Sequence, residues 1–249
     1  PEYNLKDYPN GVSIISNKFE STELDNVSAG YLTYLFTEEL RLKHKLPVSK
    51  ENRIWGYVTL ISDTCKLSCP YIKPIVLDIK KYKMHMPIQL REYMTQYDEL
   101  NRSFISYKFV NRLNSLCRSN EHELIRRFLF EYEHLDMLGR NTIREEIEDV
   151  YSRLSTGIDN YMTVIEDDIE LHNKFVFVDL SKSKTLTSLT QSQIVNSTGV
   201  FANKLSEKYS MPCVCVMSID SNTYKGSVRD VGNYDIFNAV MNLVSDGGG

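Results

Sequence analysis

Apolar residues return along this chain in two rhythms, one helical and one alternating, and the rhythm changes near residue 165. Val12-Ser13-Ile14-Ile15-Ser16 is a short β-branched run closed by Asn17-Lys18, the pattern of a buried strand. Beyond it Tyr31, Leu32, Leu35, Phe36, Glu39 and Leu40 place an apolar face at helical spacing behind Ser28, a residue suited to cap a helix, and Pro47 ends the run. The apolar run from Ile54 to Ile61 closes in Ser62-Asp63, so a carboxylate stands at the end of a buried element. Pro70, Pro74 and Pro87 break residues 70 to 98 into short irregular pieces. From Glu121 to about Ile165, Leu124, Phe128, Leu129, Leu135, Leu138, Ile143, Ile147, Val150 and Leu154 recur every three or four positions. This predicts a long helix that Gly139 interrupts and that connects two domains.

After residue 165 the pattern predicts strands alternating with helices. Phe175-Val176-Phe177-Val178-Asp179-Leu180 reads as a strand, Asn196 to Tyr209 as a helix with Val200, Phe201 and Leu205 facing in, and Cys213-Val214-Cys215-Val216-Met217 as a second strand. A third strand over Thr223 to Val228 and a helix over Tyr234 to Val244 complete a small α/β domain.

Composition narrows the possibilities. At 249 residues, 42% hydrophobic and 25% charged, the chain can bury one large core or two small ones. It has no apolar run of membrane-spanning length and no secretory leader pattern, so a cytoplasmic location is expected. Five cysteines fit a reducing compartment better than a disulfide framework, and without further ligands Cys65, Cys69, Cys213 and Cys215 read as small buried hydrophobes rather than a zinc set. With a net charge of −4 there is no global basic field, so any nucleic acid must be held by a local groove of Arg and Lys. A chain that starts at Pro1 and stops at Gly249 is expected to be a fragment.

The strand Tyr224-Lys225-Gly226-Ser227-Val228-Arg229 puts Ser227 and Arg229 on one face, two residues apart, where a hydroxyl and a guanidinium can share a phosphate. Gly247, Gly248 and Gly249 let backbone N–H groups approach a phosphate or a base closely. A surface strand followed by a flexible tail fits the same residues. These pieces, with Phe177-Val178-Asp179-Leu180-Ser181 before them, resemble in order and spacing the DHHA1 domain of the DHH phosphoesterase family. Phe109-Val110-Asn111-Arg112-Leu113-Asn114-Ser115-Leu116-Cys117-Arg118 is similar to the Pro-Arg-Ile-Asn-Ala-Ala-Gly-Arg motif of RecJ nucleases, keeping Arg112, Asn114 and Arg118 and replacing the Pro and the Gly. Leu138 to Glu148 resembles the helix that joins the two RecJ domains, and Asn26 to Leu35 resembles the segment that follows the DHH motif. Val58-Thr59-Leu60-Ile61-Ser62-Asp63 resembles a family motif whose Asp binds metal.

The resemblance implies an α/β chain in three parts: residues 1–98 as the rear part of a DHH domain, 99–165 as a helical connector and 166–249 as a DHHA1 domain, with a groove between the two domains. It implies a RecJ-like exonuclease that hydrolyses single-stranded DNA from the 5′ end with two Mn²⁺ or Mg²⁺ ions. Asp63 is then catalytic and a metal ligand, Arg112, Asn114 and Arg118 meet phosphates near the scissile bond, and Ser227, Arg229 and Gly247 to Gly249 hold the neighbouring nucleotide. The Asp-His-His triplet itself is absent, and the five histidines stand in unrelated contexts, so most metal ligands are expected to lie outside this chain. An oligonucleotide or cyclic-dinucleotide phosphodiesterase of the same family, and a non-catalytic module that binds nucleic acid or a partner, are the alternatives.

Overall fold

The computed structural model describes residues 27–63, 65, 72–94, 100–183, 188–231 and 236–242. The strand expected at residues 12–16 and the terminal glycines lie outside them. The described chain is mixed α/β, mostly helical with one four-stranded sheet, and it divides into two compact units. One unit holds the described residues up to Asn114 together with Arg126–Ile143; the other holds Ser115–Ile125 and the described residues from Arg144 onward.

In the first unit α1 (Ala29–Lys43) starts where Ser28 Oγ accepts a hydrogen bond from the Tyr31 amide at 3.1 Å, the cap that the sequence predicts. Its buried side differs from the prediction. Tyr31 is buried, while Leu35, Phe36 and Leu40 are exposed. The side that meets α2 (Lys50–Ser62) carries the glycine: a Cβ on Gly30 would stand 2.7 Å from Thr59, and one on Gly56 of α2 would stand 2.8 Å from the Tyr34 ring. Two missing side chains thus let the helix backbones approach closely, and that approach selects the tyrosine face over the leucine face. The run Ile54 to Ile61 is the buried part of α2, and Asp63 is its C-terminal cap residue.

Short elements follow, as the prolines predict: α3 (Lys73–Asp78), a 3₁₀ segment Ile79–His85, and α4 (Ile88–Arg91). A π-helical segment, Phe104–Val110, leads into α5 (Asn111–Arg118). Aromatic rings fill this unit's core: Phe109 packs against Trp55 and Phe128 at 6.0 Å each, and Phe128 meets Tyr132 edge-on at 5.1 Å. The long helix predicted from residue 121 is broken. It comprises α6 (His122–Arg126), a π segment Arg127–Glu131, a 3₁₀ turn Tyr132–His134 and then the 28-residue α7 (Met137–Val164). The break falls at Leu135-Asp136, not at Gly139. Asp136 Oδ1 accepts from the Gly139 amide at 2.8 Å and so starts α7 afresh, with Gly139 inside its first turn.

In the second unit a 3₁₀ turn, Ile165–Asp168, leads to the sheet of β1 (Ile169–Leu171), β2 (Val176–Asp179), β3 (Cys213–Ser218) and β4 (Tyr224–Arg229), ordered 1-2-3-4. β2 and β3 are parallel, and β1 and β4 flank them antiparallel. Helices α8 (Gln191–Asn196) and α9 (Thr198–Tyr209) make the crossover between the parallel pair, and α10 (Ile236–Met241) follows β4. Phe201, Ala202 and Leu205 of α9 and Leu154, Ile158 and Tyr161 of α7 pack with Val176, Val178, Cys213 and Cys215 in one core. Tyr161 Oη donates to the Leu180 carbonyl at 2.6 Å, which satisfies a buried acceptor at the end of β2.

Burial pushes the Cys213 thiol up to about 12 and raises that of Cys215 well above its ordinary value, so both stay protonated and serve as apolar packing. Cys117 is exposed. Treatment of the native chain with a thiol reagent at pH 8 should modify Cys117 and spare Cys213 and Cys215 until denaturant is added. Peptide mass mapping that finds either strand cysteine labelled at the rate of Cys117 would contradict this core.

Candidate functional site

The register of β4 decides what faces α9. Arg229, Ser227 and Lys225 pair with Cys213, Cys215 and Met217, so alternation puts all three on the side of the sheet that carries the core. There they meet a polar row at the α8–α9 junction. Arg229 Nε donates to Asn203 Oδ1 at 2.5 Å, Thr198 and Ser227 share a hydroxyl–hydroxyl hydrogen bond of 3.0 Å, and Lys225 Nζ donates to Asn196 Oδ1 at 3.4 Å. Asn196 uses its other end as well, since Nδ2 donates to the carbonyl of Arg118 at 3.3 Å. One amide therefore ties the end of α5 to β4.

Gly199 leaves room for a long side chain at this junction. A Cβ on Gly199 would stand 2.9 Å from Arg229 Nη2 and 3.5 Å from Ser227 Oγ, so the guanidinium lies directly over the first turn of α9. Ser197, fully buried beside it, has no hydrogen-bond partner for its hydroxyl among the described residues.

Lys225 and Arg229 bring two cations to this face, and the backbone of Arg118 is tied to it through Asn196; none of the three side chains forms an ion pair with a carboxylate among the described residues. Arg118 is half-buried, and desolvation pulls its guanidinium below the usual pKa. It remains charged at any physiological pH. A cation partly withdrawn from water without a counter-charge favours an anionic ligand, and a planar guanidinium matches two phosphate oxygens at once.

Three of the residues singled out in the sequence, Arg118, Ser227 and Arg229, thus belong to the second unit, where Ser227 and Arg229 share a face and Arg118 is linked to it through its backbone carbonyl. Asp63, Arg112 and Asn114 belong to the first unit. Arg112 lies in the first turn of α5 and its Nη1 donates to the Tyr107 carbonyl at 2.7 Å. Asn196, Thr198, Gly199, Asn203 and Lys225 were not singled out. Lys225 could have been found two residues before Ser227 on the alternating strand, and Asn196, Gly199 and Asn203 recur at helical spacing on the polar side of the predicted helix. A cavity of about 580 Å³, lined by residues that include Ser119, Arg153, Thr156 and Gln193, contains none of the candidate site residues that the sequence offers.

The donor set for a pair of divalent ions is not assembled by the described residues. Asp63 is exposed at the end of α2, and no group of three or more His, Cys, Asp or Glu side chains able to hold a metal is found among them. One carboxylate is insufficient for two hard cations, each of which wants several oxygen or imidazole ligands.

No protein-family model matches the chain, and no curated protein does. Solved structures do. RecJ of Thermus thermophilus in complex with Mn²⁺ matches with a TM-score of 0.66 at 15% identity, over 88% of this chain and 32% of that one. The Mg²⁺ complex of the same protein gives 0.67 at 16% identity, over 88% and 33%. A third structure, exonuclease RecJ bound to manganese, gives 0.57 at 15% identity, over 88% and 53%. The chain therefore has a RecJ-like fold and spans a third to a half of the length of those proteins. Among the described residues no helix is long and apolar enough to cross a membrane.

Asn203 fixes the orientation of Arg229 through its Nε–H, so Asn203→Ala should release that proton. In NMR spectra the Arg229 Nε–H signal is expected to lose its hydrogen-bonded shift and its protection from exchange, with the sheet resonances otherwise in place. An unchanged Nε–H signal would show that Asn203 does not orient the guanidinium.

Proposed function

We propose that this chain binds single-stranded DNA and forms the substrate-holding part of a RecJ-like phosphodiesterase. One observation carries the reading: Lys225, Ser227 and Arg229 are gathered around the α8–α9 junction, to which Asn196 also ties the backbone of the half-buried Arg118, and these cations lack a counter-charge among the described residues. Phosphates of an extended strand supply that charge. Side chains of β4 on one face repeat at about 7 Å, so successive anionic groups can be met without bending the strand. The RecJ-like fold supports the same reading.

In the complete site Arg112 and Asn114 hold phosphates near the scissile bond, and Asp63 contributes one carboxylate to the metal pair. The ions would activate water and neutralise charge on the phosphoryl group. Hydrolysis from the 5′ end of the strand is assigned to that complete site. Because the described residues do not assemble the other ligands, the chain by itself is expected to release no nucleotides from single-stranded DNA when Mn²⁺ is added.

Fluorescence anisotropy with a labelled oligothymidylate tests the binding. Arg118→Met or Arg229→Met should weaken affinity at low salt by about 1–3 kcal/mol each, the scale of a hydrogen bond to a charged group. Ser227→Ala should cost less. Isotherms identical to the unaltered chain for both Arg variants would remove this face from the site. Affinity that does not rise from a dinucleotide or cyclic dinucleotide to a longer strand would move the substrate to those smaller molecules.

A further inference from the structure

We propose that the cavity of about 580 Å³ beside α7 receives one nucleobase of the bound strand. This deepens the single-strand reading above and rests on it for the strand, whereas the preference of the cavity for a base can be tested without one. All of its lining residues belong to the second unit, and its volume is in the range of small-molecule sites.

The floor is apolar. Val150 and Leu189 are buried, and Gly157 lets Leu189 lie directly on the backbone of α7, since a Cβ there would stand 2.5 Å from Leu189 Cδ2. Around this floor the side chains of Thr156, Asn160 and Ser188 make no hydrogen bond to another described residue. Thr156 and Asn160 are neighbours one turn apart on α7, so a hydroxyl and an amide stand side by side, and each can both donate and accept. Gln193 forms a wall that is already fixed: its Nε2 donates to Ser119 Oγ at 3.2 Å and its Oε1 accepts from the Thr190 amide at 2.9 Å.

Charge selects the ligand. The charged residues lining the cavity are Glu121 and Arg153, and Arg153 is already paired with Asp149 at 3.0 Å. There is no excess of positive charge to draw a phosphate in. A neutral group with apolar faces and an edge of donors and acceptors fits such a lining, and a nucleobase is built that way. The cavity also lies close to the face of β4. Three residues after Gln193 on α8, Asn196 joins Lys225 to the Arg118 carbonyl. One helical turn is about 5 Å, so a strand whose phosphate meets Lys225 can turn a neighbouring base into the cavity.

Two other cavities lack this make-up. Lys204 and Lys208 line one together with Asp159 and Glu166, their own ion-pair partners. In the other, at the ends of β2 and β3, Tyr161 and Gln191 already donate to the carbonyls of Leu180 and Ser218.

Two measurements on the full chain test the proposal. In NMR titrations thymidine should shift the Asn160 side-chain amide and the Leu189 amide, and deoxyribose phosphate should shift neither. Absence of a thymidine shift at both would overturn the base site. Fluorescence anisotropy then compares a labelled oligothymidylate with the same sugar–phosphate backbone carrying abasic sites. Thr156→Phe, at an exposed position whose larger side chain fills the cavity, should weaken oligothymidylate binding about tenfold, the scale of one net hydrogen bond, and leave the abasic strand unaffected. Asn160→Ala should act in the same direction, by about fivefold. A loss equal on both strands, or oligothymidylate affinity unchanged in both variants, would overturn the role. If the unaltered chain binds neither strand while thymidine still shifts Asn160 and Leu189, the single-strand reading falls and the cavity stands as a nucleoside site.

Discussion

The pairing register of β4 against β3 is the constraint on which the candidate site depends. Cys213, Cys215 and Met217 must face the core because α7 and α9 cover that side, and their partners Arg229, Ser227 and Lys225 follow them onto it. A slip of one residue would turn all three cationic and hydroxyl side chains to the far face and bring Tyr224, Gly226 and Val228 to the helix. Gly226 supports the register from the other side: a Cβ there would stand 2.8 Å from the Cys215 carbonyl, so a larger residue would push the strands apart.

Given that register, the polar residues of α8 and α9 hold the side chains of β4 in place. Asn203 takes the Arg229 Nε, Thr198 takes the Ser227 hydroxyl, and Asn196 joins Lys225 to the backbone at Arg118. Each neutral hydrogen bond contributes only about 1 kcal/mol. Their larger effect is to reduce the side-chain entropy that binding would otherwise cost, roughly 0.5–1.5 kcal/mol per immobilised side chain. Elsewhere some cations are neutralised by exposed carboxylates, as in Lys204–Asp159 and Lys208–Glu166, pairs of small energetic consequence. Lys225 and Arg229 at the α8–α9 junction lack such partners among the described residues.

Local rules made part of this legible in the sequence. The Ser28 cap, the buried Ile143-Ile147-Val150-Leu154 stripe and the β3 strand follow from capping chemistry and periodicity, and alternation alone places Ser227 and Arg229 together. The motifs that resemble RecJ anticipated the fold that the solved structures match at low identity. What was not legible depends on tertiary partners. The tyrosine side of α1 wins because two glycines permit close approach, which no apolar count can register. The helix break goes to Leu135-Asp136 because an aspartate can cap a new helix, whereas a glycine is merely tolerated inside one. Asn196, Thr198 and Asn203 acquire a role only once β4 lies across them. The short β1 and the break of the predicted 196–209 helix at Ser197 carry too few residues for a periodic signal.

The most direct test of the proposed phosphate-binding face is the salt dependence of single-strand affinity, because it counts neutralised phosphates independently of base contacts. Each contact to a single strand contributes about 0.7 to the slope of log K against log salt. Replacing Arg118, Lys225 and Arg229 together by Met should therefore flatten that slope by about 2. A triple variant with the slope of the unaltered chain would show that the phosphates are bound elsewhere.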